Sequence, residues 1–312
     1  MPNRFFCAAA LLLGSAAAQA QVAPLKLRDG AVEDAINGVL TLMSYSMTLD
    51  LASSSLSISD RDTGNPALQM TQLGGGATMS DEIPLYLEGS IAYSRYDPKF
   101  VATDGVQSRT LPTKWTSVTA AGGVGWDFPL NDEWVVRPIG NVALGYMSSD
   151  LNSARLYLNY TYDRDIEFLD DGHMAALGLG GALMLDWERV KPDYEVDLEL
   201  RYSYMDLQNI GGTKAIDGHV SAETLNLWSR YRAPTGLTVL QRPLRYVLEY
   251  SHSEYIGDQR GALGFDRLST VGAGVEFDSS AYNVFVTRTR VLLRHMYGDG
   301  VSGLALSLAM SF

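Results

Sequence analysis

The tripeptide His219-Val220-Ser221 sets an imidazole and a hydroxyl two positions apart. In an extended chain both side chains project from one face, and a histidine within reach of a serine can serve as its general base. That is the chemistry of acyl transfer. The other histidines, His173, His252 and His295, also stand at the ends of apolar runs, and Asp171-Gly172-His173 is echoed by Asp217-Gly218-His219. Asp and His at a rim can bind a metal or act as acid and base. The acidic run Asp163, Asp165, Glu167, Asp170 and Asp171 offers the oxygen ligands that calcium prefers. Each feature has a plainer explanation: amphipathic polar side chains gather at strand ends, and a charged loop is stable by being solvated. Asp60-Arg61-Asp62 with Gly64-Asn65 is a fragment of a calcium loop without its closing Glu. No glycine-rich phosphate loop lies in a strand-to-helix context. On this reading no catalytic residue, metal ligand or cofactor is assigned.

The elements that must position these residues are strands. Leu304, Leu306, Leu308, Met310 and Phe312 alternate with Gly303, Ala305, Ser307, Ala309 and Ser311. Period-two patterning makes a strand with one apolar and one small, polar face. The same alternation recurs at Met43–Leu51, at Leu85–Tyr93, at Thr116–Phe128, at Trp134–Tyr146, at Leu177–Trp187 and at Val196–Tyr204. Further runs lie around Leu68, at Leu225–Tyr231, at Leu240–Tyr250, at Val271–Phe277 and at Ala281–Met296. The connections alternate in length. Ser80–Pro84, Pro129–Glu133, Val190–Asp193, Ala233–Gly236 and Asp278–Ser280 read as short turns. Asp97–Pro112, Ser148–Gly172, Leu207–Gly218 and Ser253–Asp266 read as long loops. Short turns at one end and long loops at the other mark an outer-membrane barrel. The fold class is all-β: a transmembrane antiparallel up-and-down β-barrel of about 12 strands, ten being the alternative if the first two runs are not strands.

Arg288, Arg290 and Arg294 share one face of the penultimate strand. On the lipid side each would cost about 2–4 kcal/mol at mid-membrane, against a total stability of about 5–15 kcal/mol. They must therefore face the lumen, with Arg201 and with acids such as Asp197, Glu199 and Glu276 as partners. The expected lumenal charge network is Arg288, Arg290, Arg294, Arg201, Glu199 and Glu276. Before the strands, Val32, Ile36, Val39, Leu40 and Met43 recur at helical spacing after Asp29, Glu33 and Asp34. A short amphipathic helix over Asp29–Leu40 is expected, occupying the lumen as a plug.

Arg4, the apolar run Phe5–Leu13 and Ala18-Gln19-Ala20 read as a cleaved export signal, the run being too short to span a membrane. The organisation is thus residues 1–20 as signal, 21–41 as an N-terminal segment with the helix, and 42–312 as the barrel. Cys7 is the chain's single cysteine and falls in the signal, so the exported chain holds no disulfide. The net charge is -12, which makes nucleic acid an unlikely partner class. A mean hydropathy of -0.03 suits strands whose two faces cancel. The expected surroundings are outer-membrane lipid and lipopolysaccharide in a Gram-negative cell, with the chain a monomer.

A signal, a short helix, about twelve strands and a terminal Leu304–Phe312 strand ending on an aromatic resemble the translocator β-domain of autotransporters. The resemblance implies insertion by the barrel-assembly machinery, which reads Leu304, Leu306, Leu308, Met310 and Phe312. So little chain precedes the first strand that a solitary barrel without a passenger is expected, and the helix lacks the Asn-Asn pair of self-cleaving members. A structural, adhesive or narrow-transport role follows; a diffusion porin and a surface hydrolase are the alternatives. For the last, His219-Val220-Ser221 resembles the His-x-Ser of outer-membrane phospholipase and lipid A deacylase, but those families continue with Asn-Gly where this chain has Ala222-Glu223.

Overall fold

A computed structural model describes residues 32–47, 55–59, 66–80, 82–96, 99–103, 108–112, 115–149, 173–211, 218–262, 264–279, 287–299 and 301–311. The export signal, Asp29, Asp60–Asp62, the Asp163–Asp171 run and Phe312 lie outside these residues.

One helix, α1 (Val32–Met47), precedes the strands. The strands are β1 (Ser55–Ser59), β2 (Pro66–Thr78), β3 (Leu85–Tyr96), β4 (Lys99–Thr103), β5 (Ser108–Pro112), β6 (Trp115–Trp126), β7 (Phe128–Pro129) and β8 (Trp134–Ser149). They continue with β9 (His173–Val190), β10 (Glu195–Gly211), β11 (His219–Val239), β12 (Arg242–Gly257), β13 (Arg267–Asp278), β14 (Arg288–Gly298) and β15 (Ser302–Ser311). The sheet runs in the order β1-β2-β3-β6-β8-β9-β10-β11-β12-β13-β14-β15, with β7 pairing on β8. Every recorded pairing is antiparallel between neighbours in this order, so the topology is up-and-down. The sheet curls until β1 lies beside β15. No backbone ladder joins these two strands among the described residues.

Alternation decides which side each residue takes. Along β3, Tyr86, Glu88, Ser90, Ala92, Ser94 and Tyr96 are buried while Leu87, Ile91 and Tyr93 are exposed. Leu179, Leu183, Leu248, Leu293 and Leu306 continue the outward apolar surface around the sheet. So wide a band of exposed Leu, Val, Ile and Tyr is stable against lipid rather than water. Among the described residues no helix is long and apolar enough to cross a membrane. Leu304 and Leu306 are outward on β15, which pairs along β14; the side chains of Leu308, Met310 and Phe312 lie outside the described residues.

Four details differ from the sequence reading. The segment Met43–Met47, read as the start of the first strand, is the last part of α1. The helix therefore runs past Leu40 and across the expected boundary between residues 41 and 42. The reason is environmental. A helix enclosed on every side is apolar all round, and the interspersed Ser44 and Ser46 turn their hydroxyls back onto the carbonyls of Thr41 and Met43, each at 2.7 Å. The second difference is the turn expected at Ala233–Gly236. There β11 continues through a register shift between Pro234 and Thr238, where Gly236 takes a φ of 77°. A bulge absorbs the Pro and Gly, and the chain reverses at Leu240 and Gln241, with φ of 52° and 63°. Third, part of the expected loop Asp97–Pro112 forms the β4–β5 hairpin. Fourth, β10 extends to Gly211 and β12 to Gly257, into segments read as loop.

At the short-turn end, Arg189 donates to Glu133 at 2.8 and 2.7 Å and the Trp187 indole adds a bond at 3.0 Å. The guanidinium hydrogen bond holds the Glu133 carboxyl down at about 2, from an ordinary 4.5. A depressed carboxyl contributes its stabilisation fully above its ordinary value and loses it as pH falls through the folded one. Carbon-detected NMR titration should place Glu133 near 2, and Arg189→Gln should return it toward 4.5. An ordinary value in the unaltered chain would refute the clamp.

Candidate functional site

The interior has two tiers. Near the long-loop end, Leu40, Thr41, Leu42, Met43, Ser44, Tyr45, Ser46 and Met47 are all buried, so this part of the helix is enclosed on all its faces. It touches β3, β6, β8, β10 and β11. Those strands stand on opposite parts of the wall, so the helix sits within the lumen. Met70, Met147, Met174, Met205 and Met296 line this tier with Leu207, Val220 and Leu268. Methionine fills irregular gaps readily, which suits a round helix in a corrugated tube. At Gly145 an added Cβ would overlap the terminal methyls of Met43 and Met47, so the wall is bare where the helix presses on it.

The chain between β12 and β13 latches the helix. Tyr45 Oη donates to the Gln259 carbonyl at 2.6 Å. The Gln259 amide donates to Ser44 Oγ at 2.9 Å and its side-chain oxygen accepts from Thr224 at 3.1 Å. The Tyr45 ring lies 4.9 Å from Tyr255 and 6.0 Å from Phe265, both tilted. On the opposite wall, Thr119 Oγ1 donates to the Ser46 carbonyl at 3.2 Å, which answers one of the orphan acceptors at the helix end.

Below the helix lies a charge lattice. Arg201 on β10 makes a bidentate pair with Glu88 on β3, Nη1 to Oε2 and Nη2 to Oε1, both at 2.7 Å. Asn141 on β8 donates to the same carboxylate at 2.6 Å. Strands β6, β8 and β9 separate β3 from β10 in the sheet. Four strand spacings are about 19 Å along the wall, so this pair is a chord through the interior. Glu195 on β10 gathers Arg245 on β12 at 2.7 Å, Arg288 on β14 at 2.8 Å and Arg232 on β11 at 2.8 Å. Asp197 takes Arg230 at 2.6 Å and Arg232 at 3.1 Å. Glu276 is wholly buried among Arg232, Arg245 and Arg290 at 3.6, 3.7 and 3.6 Å. Arg137 pairs with Asp127 and, at 3.3 Å, with Asp186, and its guanidinium lies 4.0 Å over the Tyr86 ring.

Of the six residues expected in the network, Arg288, Arg290, Arg294, Arg201 and Glu276 make ion pairs. Only Arg290 and Glu276 pair with each other. Arg294 meets Glu249 at 2.6 Å. Glu199 lies on the same β10 face as Glu195, Asp197 and Arg201 but makes none of these pairs. Sequence reasoning missed Glu88, Asn141, Glu195, Glu249, Arg232 and Arg245. All fall at inward parity in their strands, and that parity was the available signal.

The histidines project outward near the long-loop end. His173 stacks with Tyr146 at 6.1 Å and His295 with Tyr297 at 6.0 Å. His252 Nε2 lies 3.0 Å from Glu254 Oε1. Among the described residues no group of three or more His, Cys, Asp or Glu could hold a metal ion. His219 and Ser221 share the outward face of β11, and Asp206 Oδ2 lies 2.5 Å from His219 Nε2.

Residues 44–155 match the family model of the autotransporter β-domain. No curated protein matches the chain. Among solved structures, the β domain of the Bordetella autotransporter BrkA is similar at 12% identity and a TM-score of 0.43, over 78% of this chain and 91% of that one. The transport unit of the autotransporter AIDA-I from Escherichia coli is similar at 12% identity and a TM-score of 0.38, over 89% of this chain and 99% of that one. The KdgM porin in complex with disordered oligogalacturonate is similar at 11% identity and a TM-score of 0.37, over 78% of this chain and 92% of that one.

Proposed function

We propose that this autotransporter-type β-barrel sits in the Gram-negative outer membrane with its pore closed by its own helix, in a structural, adhesive or narrow-transport role. The observation that carries the reading is the burial of Leu40–Met47 on every face inside the lumen. An open diffusion porin needs a continuous aqueous path, and the enclosed helix tier stands across one. The periplasmic end is the short-turn end, and the long-loop end with its Tyr45 latch faces outside. Insertion runs through the barrel-assembly machinery reading the β15 strand, export through the N-terminal signal. The barrel works as a monomer among outer-membrane lipid and lipopolysaccharide.

Planar-bilayer recording tests closure. The whole chain should be nearly silent. Deletion of residues 32–47 should produce discrete channel openings, since it empties the upper tier. Equal conductance with and without the helix, whether both silent or both open, would overturn the plug.

A further inference from the structure

At the short-turn end one hairpin outruns its neighbours. β10 begins at Glu195, opposite Arg232 on β11, and the last pair between β12 and β13 is Leu244 with Phe277. From Ala233 to Val239, β11 therefore has only β12 beside it among the described residues. The tip turns on Leu240 and Gln241, both at positive φ. A two-residue turn of that hand favours Asn-Gly, and a leucine there is strained. Leu240 is 84% exposed and Leu237 64%, so packing within the chain does not explain these side chains.

The exposed apolar surface is one-sided and continuous with the lipid-facing wall. Down β12, Leu248, Tyr246, Leu244 and Arg242 fall on the outward face by alternation. Val239 is paired with Arg242 and shares that face, and Leu237 stands two residues before Val239 on the same strand. Tyr194, Tyr231 and Tyr246 stack side by side at 6.1 and 5.9 Å and mark the interfacial belt. Arg242 lies four residues past Tyr246, about 10 Å down the membrane normal for a strand tilted by about 40°. Its guanidinium, at headgroup depth, is held by a hydrogen bond to Ser279 Oγ. The open edge of the hairpin does not suit a partner strand. Pro234 has no N–H, the register breaks between Pro234 and Thr238, and the Leu237 N–H already donates to Thr235 Oγ1 at 3.1 Å.

We infer that the β11–β12 hairpin is a foot on the periplasmic leaflet and that its ligand is anionic phospholipid. Leu237, Val239 and Leu240 lie among the glycerol and upper acyl carbons, since an amphipathic element buries its apolar face about 5–10 Å into that boundary. Arg242 meets the phosphodiester, whose oxygens match the planar donors of a guanidinium. The lipid thus covers an apolar tip that water would leave bare. A foot on one side of the wall also fixes the depth at which the barrel sits.

The inference rests on the membrane reading, so both are measured in one sample. The full chain is folded into vesicles of phosphatidylethanolamine and phosphatidylglycerol, and gel heat-shift and co-sedimentation report insertion. The phosphatidylglycerol carries a diazirine at the top of one acyl chain, and adducts are mapped by mass spectrometry after illumination. Adducts should concentrate on Leu237–Leu244, while the exposed polar turn Lys191–Asp193 at the same end stays nearly clean. Leu237→Ser combined with Leu240→Ser should abolish the hairpin adducts without changing the heat-shift. Arg242→Gln should lower them about fivefold, the factor for one basic residue at an anionic surface. An inserted barrel labelled at Tyr246–Leu248 but not on the hairpin, or a yield indifferent to the leucine pair, would refute the foot. A yield that falls as the protein-to-lipid ratio rises would also refute it, because a second copy would then cover the tip. A chain that fails to insert refutes the membrane reading instead.

Discussion

Replacing Arg201 by alanine is expected to destabilise the folded barrel by about 3–5 kcal/mol, because it removes one partner of a buried ion pair and leaves the other charged. Glu88 keeps its neutral hydrogen-bond partners, Asn141 among them, but no cation in that variant. Both partners are buried, so water cannot easily replace the lost guanidinium. The penalty belongs to the stranded carboxylate more than to the lost contact. The double variant Arg201→Met with Glu88→Gln, which removes both charges, should therefore regain most of the loss. Urea unfolding in lipid vesicles, followed by tryptophan fluorescence, measures both. Equal losses in the single and double variants would show that the chord is held by packing instead. Exposed pairs give the contrast: Arg260 with Asp266 lies on the surface, where such pairs contribute about 0–1 kcal/mol.

Tyr45→Ala should release the helix. The side chain is fully buried, and truncating a large buried aromatic costs about 3–5 kcal/mol. Here the loss falls on docking of α1 rather than on the wall, since the strands keep their ladders. The variant should open intermittently in planar bilayers, toward the behaviour of the helix-deleted chain. Tyr45→Phe keeps the ring against Tyr255 and Phe265 and loses only the bond to the Gln259 carbonyl, about 1 kcal/mol; it should stay nearly silent. A Tyr45→Ala channel as quiet as the unaltered chain would show that the latch is dispensable.

The barrel was legible in the chain because lipid and lumen impose opposite demands on alternate residues. Arg290 had to point inward once its neighbours Val291 and Leu293 pointed out, and the structure buries Arg290 and exposes both neighbours. The same parity places Leu304 and Leu306 on the outside. Alternation reports the side of a wall, however, and says nothing about what stands across the tube. That Arg201 meets Glu88, 113 positions away, depends on curvature and on the stagger of every intervening strand. Arg288 reaching Glu195 rather than a nearer acid has the same origin.

Two local misreadings show where pattern fails on its own terms. Met43, Tyr45 and Met47 alternate with Ser44 and Ser46 as a strand would, yet they are helical, because inside the lumen every face of a helix meets protein. At Ala233–Gly236 the Pro and Gly looked like a reversal, but the sheet absorbed them in a bulge and turned at Leu240 and Gln241. The outward trio of His219, Ser221 and Asp206 lies between these cases. Spacing alone put the first two on one face; the third joined them only when β10 and β11 came into register. By itself the sequence determined the strand faces and the lipid-facing surface, since those follow from residue type and period two. The tertiary structure decided which charges cross the lumen and what fills it, because closing a sheet brings together groups that no local spacing relates.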